Sequence, residues 1–302
     1  MFQTLEAFYD VAKSKPRRTV AVAAADDEHT LQAVLQAANE GYIRPVLIGD
    51  SAGIEHKIKQ LDPLFSAYEI IGETDETAMA KTAVGLVKDK QAHFIMKGML
   101  NTGTLLKEVV NKDYGFNKGE VISHVTRMEI PGYHKLLSIT DCGIMITPNA
   151  EQKAGIVQNA VNLLRAAGYN QPKVAALSTV EFVNPKMQDT VDAAELKEMN
   201  DKQLIQQCLV EGPISFDIAM SAEVAKLKGY NGVVPGDADI LLVPNIPSGN
   251  ILVKALGRFV PGIRSISLAT GADIPIVVTS RGTPALGKYR SLIAAAAVSK
   301  ED

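Results

Sequence analysis

Short apolar runs recur along this chain, separated by segments of helical period. TVAVAAA starts at Thr19, RPVLIGD at Arg44, AYEII at Ala67 and AHFIMKG at Ala92. Further on, KVAALST starts at Lys173, ADILLVPNI at Ala238, IRSISLA at Ile263 and IPIVVTS at Ile274. Each run is too short for an ordinary helix, and most are rich in Val and Ile. The pattern predicts buried strands of a largely parallel sheet.

The intervening segments read as helices. DDEHTLQAVLQAANEG has an acidic start, an apolar stripe and a Gly stop. NAEQKAGIVQNAVNLLRAAG repeats the plan, with Asn149 as cap and Gly168 just past the end. ETDETAMAKTAVGLVKDK is a third. Strand and helix alternate, so an α/β fold with both sheet faces covered is expected. From Glu120 to Pro148 the rhythm breaks. Two strand-like halves flank Pro131-Gly132, which predicts antiparallel structure and the start of a second domain.

Composition narrows the classes. The chain has 302 residues, 46% of them hydrophobic, enough for two compact domains or one large one. A net charge of -3 lacks the basic excess of a nucleic-acid binder. A small anion needs only a local positive site. Cys142 and Cys208 are the only cysteines, so neither a disulfide framework nor a zinc cluster is expected, and no metal site is assigned. The first residues lack a signal-peptide core, and no apolar stretch is long enough to span a membrane. A cytoplasmic protein is the expectation.

Candidate chemistry gathers where strands should end. In TSRGTPALGKYRSL (279–292), Thr283 suits an N-cap and Pro284 a first helical position. Ser280, Arg281 and Gly282 then sit between a strand end and a helix N-terminus. Ligands bind at that edge of α/β sheets, helix N–H groups favour an anion there, and a guanidinium fork suits phosphate. An ordinary surface loop is the competing reading. In IMKGMLNTGTLLKEVV (95–110), Gly98, Gly103 and Thr104 imitate a P-loop but lack the Lys that must precede the Thr. An NTPase is rejected. Anion contacts from Lys97, Thr102 and Lys107 compete with a plain strand-to-helix loop. In VPNIPSGNILVKAL (243–256) a helix is expected to start at Ser248 or Asn250, and Gly249 permits close backbone approach. Asp217, in EGPISFDIAMS, reads first as a helix N-terminal carboxylate. The five histidines show no metal-ligand spacing and no GxSxG accompanies them.

Together these stretches resemble the phosphate acetyl/butyryltransferase family, its phosphate butyryltransferase branch most. The resemblance rests on MKGMLNTGTLLKEVV (96–110), YHKLLSITDCGIMITPNAEQKAGIVQNAV (133–161), VEFVNPKMQDTVDAA (180–194), GPISFDIAMSAEVAKLKG (212–229), GDADILLVPNIPSGNILVKAL (236–256) and PIVVTSRG (275–282). It implies a two-domain fold like that of isopropylmalate dehydrogenase. Residues 1–128 with 270–302 would form one α/β domain and 129–269 the other, with an active-site cleft between them. It implies the reaction acyl-CoA + phosphate ⇌ acyl phosphate + CoA by direct attack in a ternary complex. Coenzyme A is then a substrate and no cofactor is needed. A homo-oligomer is implied as well, while charge and composition already point away from nucleic-acid and membrane partners.

The family's roles fall on matching residues. Arg281 would hold phosphate and Ser280 a reacting oxygen, making the pair catalytic. Lys107 stands where relatives carry an Arg that reaches coenzyme A phosphates. Asp217 and Asn250 match cleft-lining positions, and Cys142 matches a position near coenzyme A that is not the nucleophile. After Arg281 the loop GTPALG lacks the carboxylate expected there, and only Lys288 fits. Asp217 is the remaining candidate base. Asn245 and Ser248 stand where relatives have Asp and Glu. The competing functions are a phosphate acetyltransferase, a dehydrogenase of this fold acting on a phosphorylated hydroxy-substrate, and a non-catalytic anion-binding module.

Overall fold

The computed structural model describes residues 2–116 and 121–300. Glu120, where the sequence rhythm breaks, lies outside them. In chain order the elements are α1 (Glu6–Ser14), β1 (Arg18–Ala23), α2 (Glu28–Asn39), β2 (Ile43–Gly49), α3 (Ser51–Leu61), β3 (Glu69–Gly72), α4 (Glu76–Lys88), β4 (Phe94–Lys97) and α5 (Thr102–Val109). Next come β5 (Ser123–Glu129), β6 (Leu137–Thr140), α6 (Ala150–Ala166), β7 (Lys173–Leu177), α7 (Gln188–Asp201), β8 (Leu209–Ile214), α8 (Phe216–Met220) and α9 (Ala222–Leu227). The chain ends with β9 (Ile240–Leu242), α10 (Ile246–Phe259), β10 (Arg264–Thr270), β11 (Ile276–Val277) and α11 (Ala285–Val298). It divides into two compact units, Leu5–Glu120 with Ser265–Asp302 and Met1–Thr4 with Val121–Arg264.

In the first unit the strand order is β3-β2-β1-β4-β11-β10. β1 pairs in parallel with β2 and β4, β2 with β3, and β4 with β11. Val20, Ala21, Val22 and Ala23 are fully buried, as a central strand covered on both faces requires. One departure from the sequence pattern is the direction of β10, which runs antiparallel to β11 through Leu268 and Val277. Burial on both faces writes the same apolar run whichever way a strand points.

Side-chain caps open the helices that follow β1, β2, β3 and β4. Asp27 accepts from Thr30 N, Asp50 from Gly53 N and Asp75 from Ala78 N. At α5 the cap is a neutral Asn101, accepting from Gly103 N. Each satisfies one orphan N–H of its first turn.

The second unit orders its strands β5-β6-β9-β7-β8. β5 and β6 form the expected antiparallel pair, Val125 opposite Thr140 and Met128 opposite Leu137. Tyr133 N donates to Ile130 O across Pro131-Gly132, and Gly132 takes φ +91°. That is the turn in which Pro presets the first central residue and Gly supplies the second. The remaining pairings are parallel. Val157, Val161 and Leu164 of α6 pack with Val174, Val210 and Ile240 in one apolar cluster. A reciprocal capping box of Asn149 and Gln152 starts α6, and Gly168, at φ +85°, follows its end.

Two helix starts differ from the expected ones. α10 begins at Ile246, not at Ser248 or Asn250, because the Asn245 side chain caps Ser248 N and Pro247 is tolerated in the first turn. α11 begins at Ala285, with Pro284 rather than Thr283 at the cap position. Among the described residues no helix is long and apolar enough to cross a membrane.

Candidate functional site

The carboxyl ends of β1, β4 and β11 bring charge together in the first unit. Ala23 pairs with Lys97 where β1 and β4 end, and Gly98 N donates to Ala23 O at 2.8 Å. Lys97 is 3% exposed. Its Nζ donates to Gly98 O and Leu100 O, both at 3.0 Å. Burial, then the charges of Lys288 and Arg281, push the Lys97 ammonium down to about 8, against the pull of Asp27 and Glu76. Lys288 is 1% exposed, and its Nζ lies 3.4 Å from Thr279 Oγ1. Burial lowers its pKa too, with Asp27 opposing.

Two carboxylates face these cations. Asp27 Oδ1 caps Thr30 N at 2.9 Å, while Oδ2 is buried with no hydrogen-bond partner among the described residues. Glu76 Oε2 accepts from Asn101 N at 3.3 Å. Burying cations without close carboxylate contacts is costly unless an anion completes the site. The cluster of Lys97, Lys288 and Arg281 therefore suits a phosphate-like ligand.

Of the other sequence candidates in this unit, Ser280 and Arg281 are exposed in the loop before α11. Thr283 N donates to Ser280 O at 3.0 Å, folding the TSRG stretch into a turn. Thr102 is the half-buried first residue of α5, and Lys107 is exposed in its last turn. The fold thus gathers Lys97, Arg281 and Lys288, and leaves Lys107 further along its helix.

The remaining candidates belong to the second unit. Cys142 is buried, its Sγ 3.1 Å from His124 Nδ1 and 3.3 Å from Thr126 Oγ1. The Asp141 carboxylate gathers Gly143 N, Ile144 N and Met145 N at 2.8–3.0 Å and fixes the turn after β6. α10 abuts that turn. A Cβ on Gly249 would lie 2.7 Å from Val243 Cγ2 and 3.0 Å from Asp141 O, so only glycine allows the approach. Asn250 Nδ2 donates to Cys142 O at 3.3 Å.

Asp217 lies in the first turn of α8, half-exposed, 2.9 Å from Lys228 Nζ. A hydrogen bond with Ser215 and the Lys228 contact hold its carboxyl down at about 2. A carboxylate so firmly ionised is a weak proton acceptor. Sequence reasoning passed over Asp27, Glu76, Asp141 and His124. Asp27 and Glu76 read as ordinary acidic helix starts, and only strand adjacency places them near Lys97.

Fold and charge define an α/β protein whose strand ends suit an oxyanion. The phosphate acetyl/butaryl transferase family model matches residues 72–296. A phosphate butyryltransferase of Clostridium acetobutylicum is 39% identical, over 95% of both chains. A phosphate acetyltransferase of Thermotoga maritima is 38% identical, over 95% of this chain and 97% of its own. A branched-chain phosphotransacylase structure from Enterococcus faecalis V583 superposes with a TM-score of 0.80 at 33% identity, covering 93% of this chain and 99% of its own. The chain belongs to the phosphate acetyl/butaryl transferase family, and it is an acyltransferase.

Proposed function

We propose that this enzyme moves a short acyl group between coenzyme A and inorganic phosphate, with butyryl the first acyl group to test. The observation that carries the reading is the cationic cluster at the strand ends, in which the buried Lys97 and Lys288 stand with the exposed Arg281. In a member of this family, an anion site of that kind fits phosphate. Relatives named for butyryl and for acetyl transfer match at nearly the same identity, so chain length is a matter for assay.

Arg281 grips phosphate with its fork of donors. Ser280, beside it, donates to the oxyanion that develops as phosphate oxygen attacks the thioester carbon. Such stabilisation, with two positioned reactants, is what the chemistry demands. Coenzyme A is a substrate in this scheme, and no cofactor takes part. We further assign the protein to the cytoplasm, as a homo-oligomer.

Release of free thiol from butyryl-CoA should require phosphate and survive EDTA. Thiol release without phosphate, or strict dependence on a divalent metal, would refute the reading. A panel of acetyl-, propionyl-, butyryl- and isobutyryl-CoA ranks the acyl groups. Size-exclusion chromatography with light scattering tests the oligomer.

A further inference from the structure

We propose that Lys97 carries the proton in acyl transfer, taking it from phosphate and passing it to the departing sulfur, an inference that rests on the function proposed above. The sequence supplies no carboxylate between Gly282 and Gly287, and Asp217 is held by Lys228. A proton must nevertheless move, because hydrogen phosphate enters and a thiol leaves.

The geometry around Nζ suits that task. Two of its N–H groups are committed to Gly98 O and Leu100 O. Among the described residues no third partner engages it. As an ammonium, Lys97 directs one further N–H away from those carbonyls. As a neutral amine it keeps both bonds and directs a lone pair along the same line. Gaining or losing the proton requires no rearrangement, and the strand end with Gly98 packed against Ala24 fixes the position.

The neighbours tune the exchange from every side. Lys288 on α11 and Arg281 before it repel the proton, while Asp27 at the start of α2 and Glu76 in the first turn of α4 hold it. The balance leaves Lys97 near 8, close to working pH, where a general acid–base group is most effective. Arg281 keeps its grip on the anion through its fork of donors.

The step balances. With neutral Lys97, a phosphate oxygen bonds to the thioester carbon as its proton passes to Nζ. The tetrahedral intermediate collapses, the C–S bond breaks, and the thiolate takes the proton from Nζ. Acyl phosphate and free thiol leave, and the amine is restored. The reverse reaction uses the same amine to accept the thiol proton.

The test is kcat against pH between 6.5 and 10. Inorganic phosphate and the acyl-CoA on which the wild type is most active are both held saturating. Wild-type kcat should rise with pH to a plateau. Lys97→Arg keeps the charge but does not titrate in this range, so its kcat should fall by about 10²-fold or more, with that rise lost. In proteins that keep Lys97, Lys288→Met should move the midpoint to higher pH and Asp27→Asn to lower pH. These opposite shifts separate proton transfer from a structural role. Wild-type kcat and profile in Lys97→Arg, or midpoints unmoved by both neighbours, would overturn the proposal. A wild type that releases no thiol in response to phosphate overturns the functional reading instead.

Discussion

A Cβ placed on Gly98 would lie 1.9 Å from the carbonyl oxygen of Ala24. The two backbones are in register there, with Met99 N donating to Ala24 O at 3.0 Å. No side chain fits, so Gly98→Ala must push β4 away from β1 just where Lys97 is held. The expected result is a loss of about 1–3 kcal/mol of stability, as for overpacking elsewhere, and a fall in kcat beyond that of a distant variant equally destabilised. Chemical denaturation and initial rates check both.

Ser280→Ala removes one hydroxyl from an exposed turn. If the hydroxyl donates to the oxyanion, kcat should fall by roughly 10²-fold or more. The melting temperature should stay within a degree or so of wild type, since surface changes have small effects. Normal kcat would remove Ser280 from the mechanism.

Arg281→Lys keeps the charge and loses the fork. The KM for phosphate should rise and kcat/KM for phosphate fall, by about 1–3 kcal/mol in transition-state terms. The KM for acyl-CoA should move less. Lys107→Ala, on the exposed last turn of α5, should weaken acyl-CoA more than phosphate. Initial rates with each substrate varied in turn distinguish the two.

Much of the fold is written locally. The runs at Thr19, Arg44 and Lys173 form strands because Val, Ile and small residues are buried on both faces there. Asp27, Asp75 and Asn149 mark helix starts because a short polar side chain reaches its own first turn. The antiparallel direction of β10 was not legible, because strand direction depends on a partner far along the chain. The site divides in the same way. Ser280 and Arg281 stood out because a strand end and a helix start flank them. The influence of Asp27 on Lys97 did not, because β1 and β4 are neighbours only after folding. Asp217 drew attention as a carboxylate in a family motif, and its pairing with Lys228 is a tertiary fact.

Lys97 also leaves a signature in stability. Its pKa falls from the ordinary 10.5 to about 8 on folding, so between those pH values the unfolded chain binds more protons. Stability rises with pH wherever that holds. The burden of burying the ammonium is therefore full below pH 8 and gone above the unfolded value. The stability of Lys97→Met relative to wild type should decrease by about 3 kcal/mol between pH 7.5 and 10.5, from a shift of that size. Urea unfolding of both proteins across this range measures it. A constant difference would show that the ammonium is not desolvated.

Lys153 and Asp192 form a buried pair 2.5 Å apart, each side chain 6% exposed, with Gln188 Nε2 donating to the second carboxylate oxygen at 2.7 Å. Asp192→Ala leaves an ammonium buried alone and should cost about 3–5 kcal/mol. Lys153→Met combined with Asp192→Leu should recover most of that loss. Equal loss in the single and double variants would mean the pair's charge is irrelevant.

The caps of α2, α3, α4 and α5 are Asp27, Asp50, Asp75 and Asn101. All four close a helix turn equally well, yet three spend the positive end of their helix on their own carboxylate. At Asn101 the cap is a neutral amide, four residues beyond Lys97, and the carboxylate at that helix start comes from α4 instead, with Glu76 Oε2 accepting from Asn101 N at 3.3 Å. The negative charge at that junction therefore belongs to a neighbouring helix rather than to the cap of α5 itself. A substitution at position 76 would change the charge at the start of α5 while leaving that helix's own capping bond from Gly103 N to Asn101 intact.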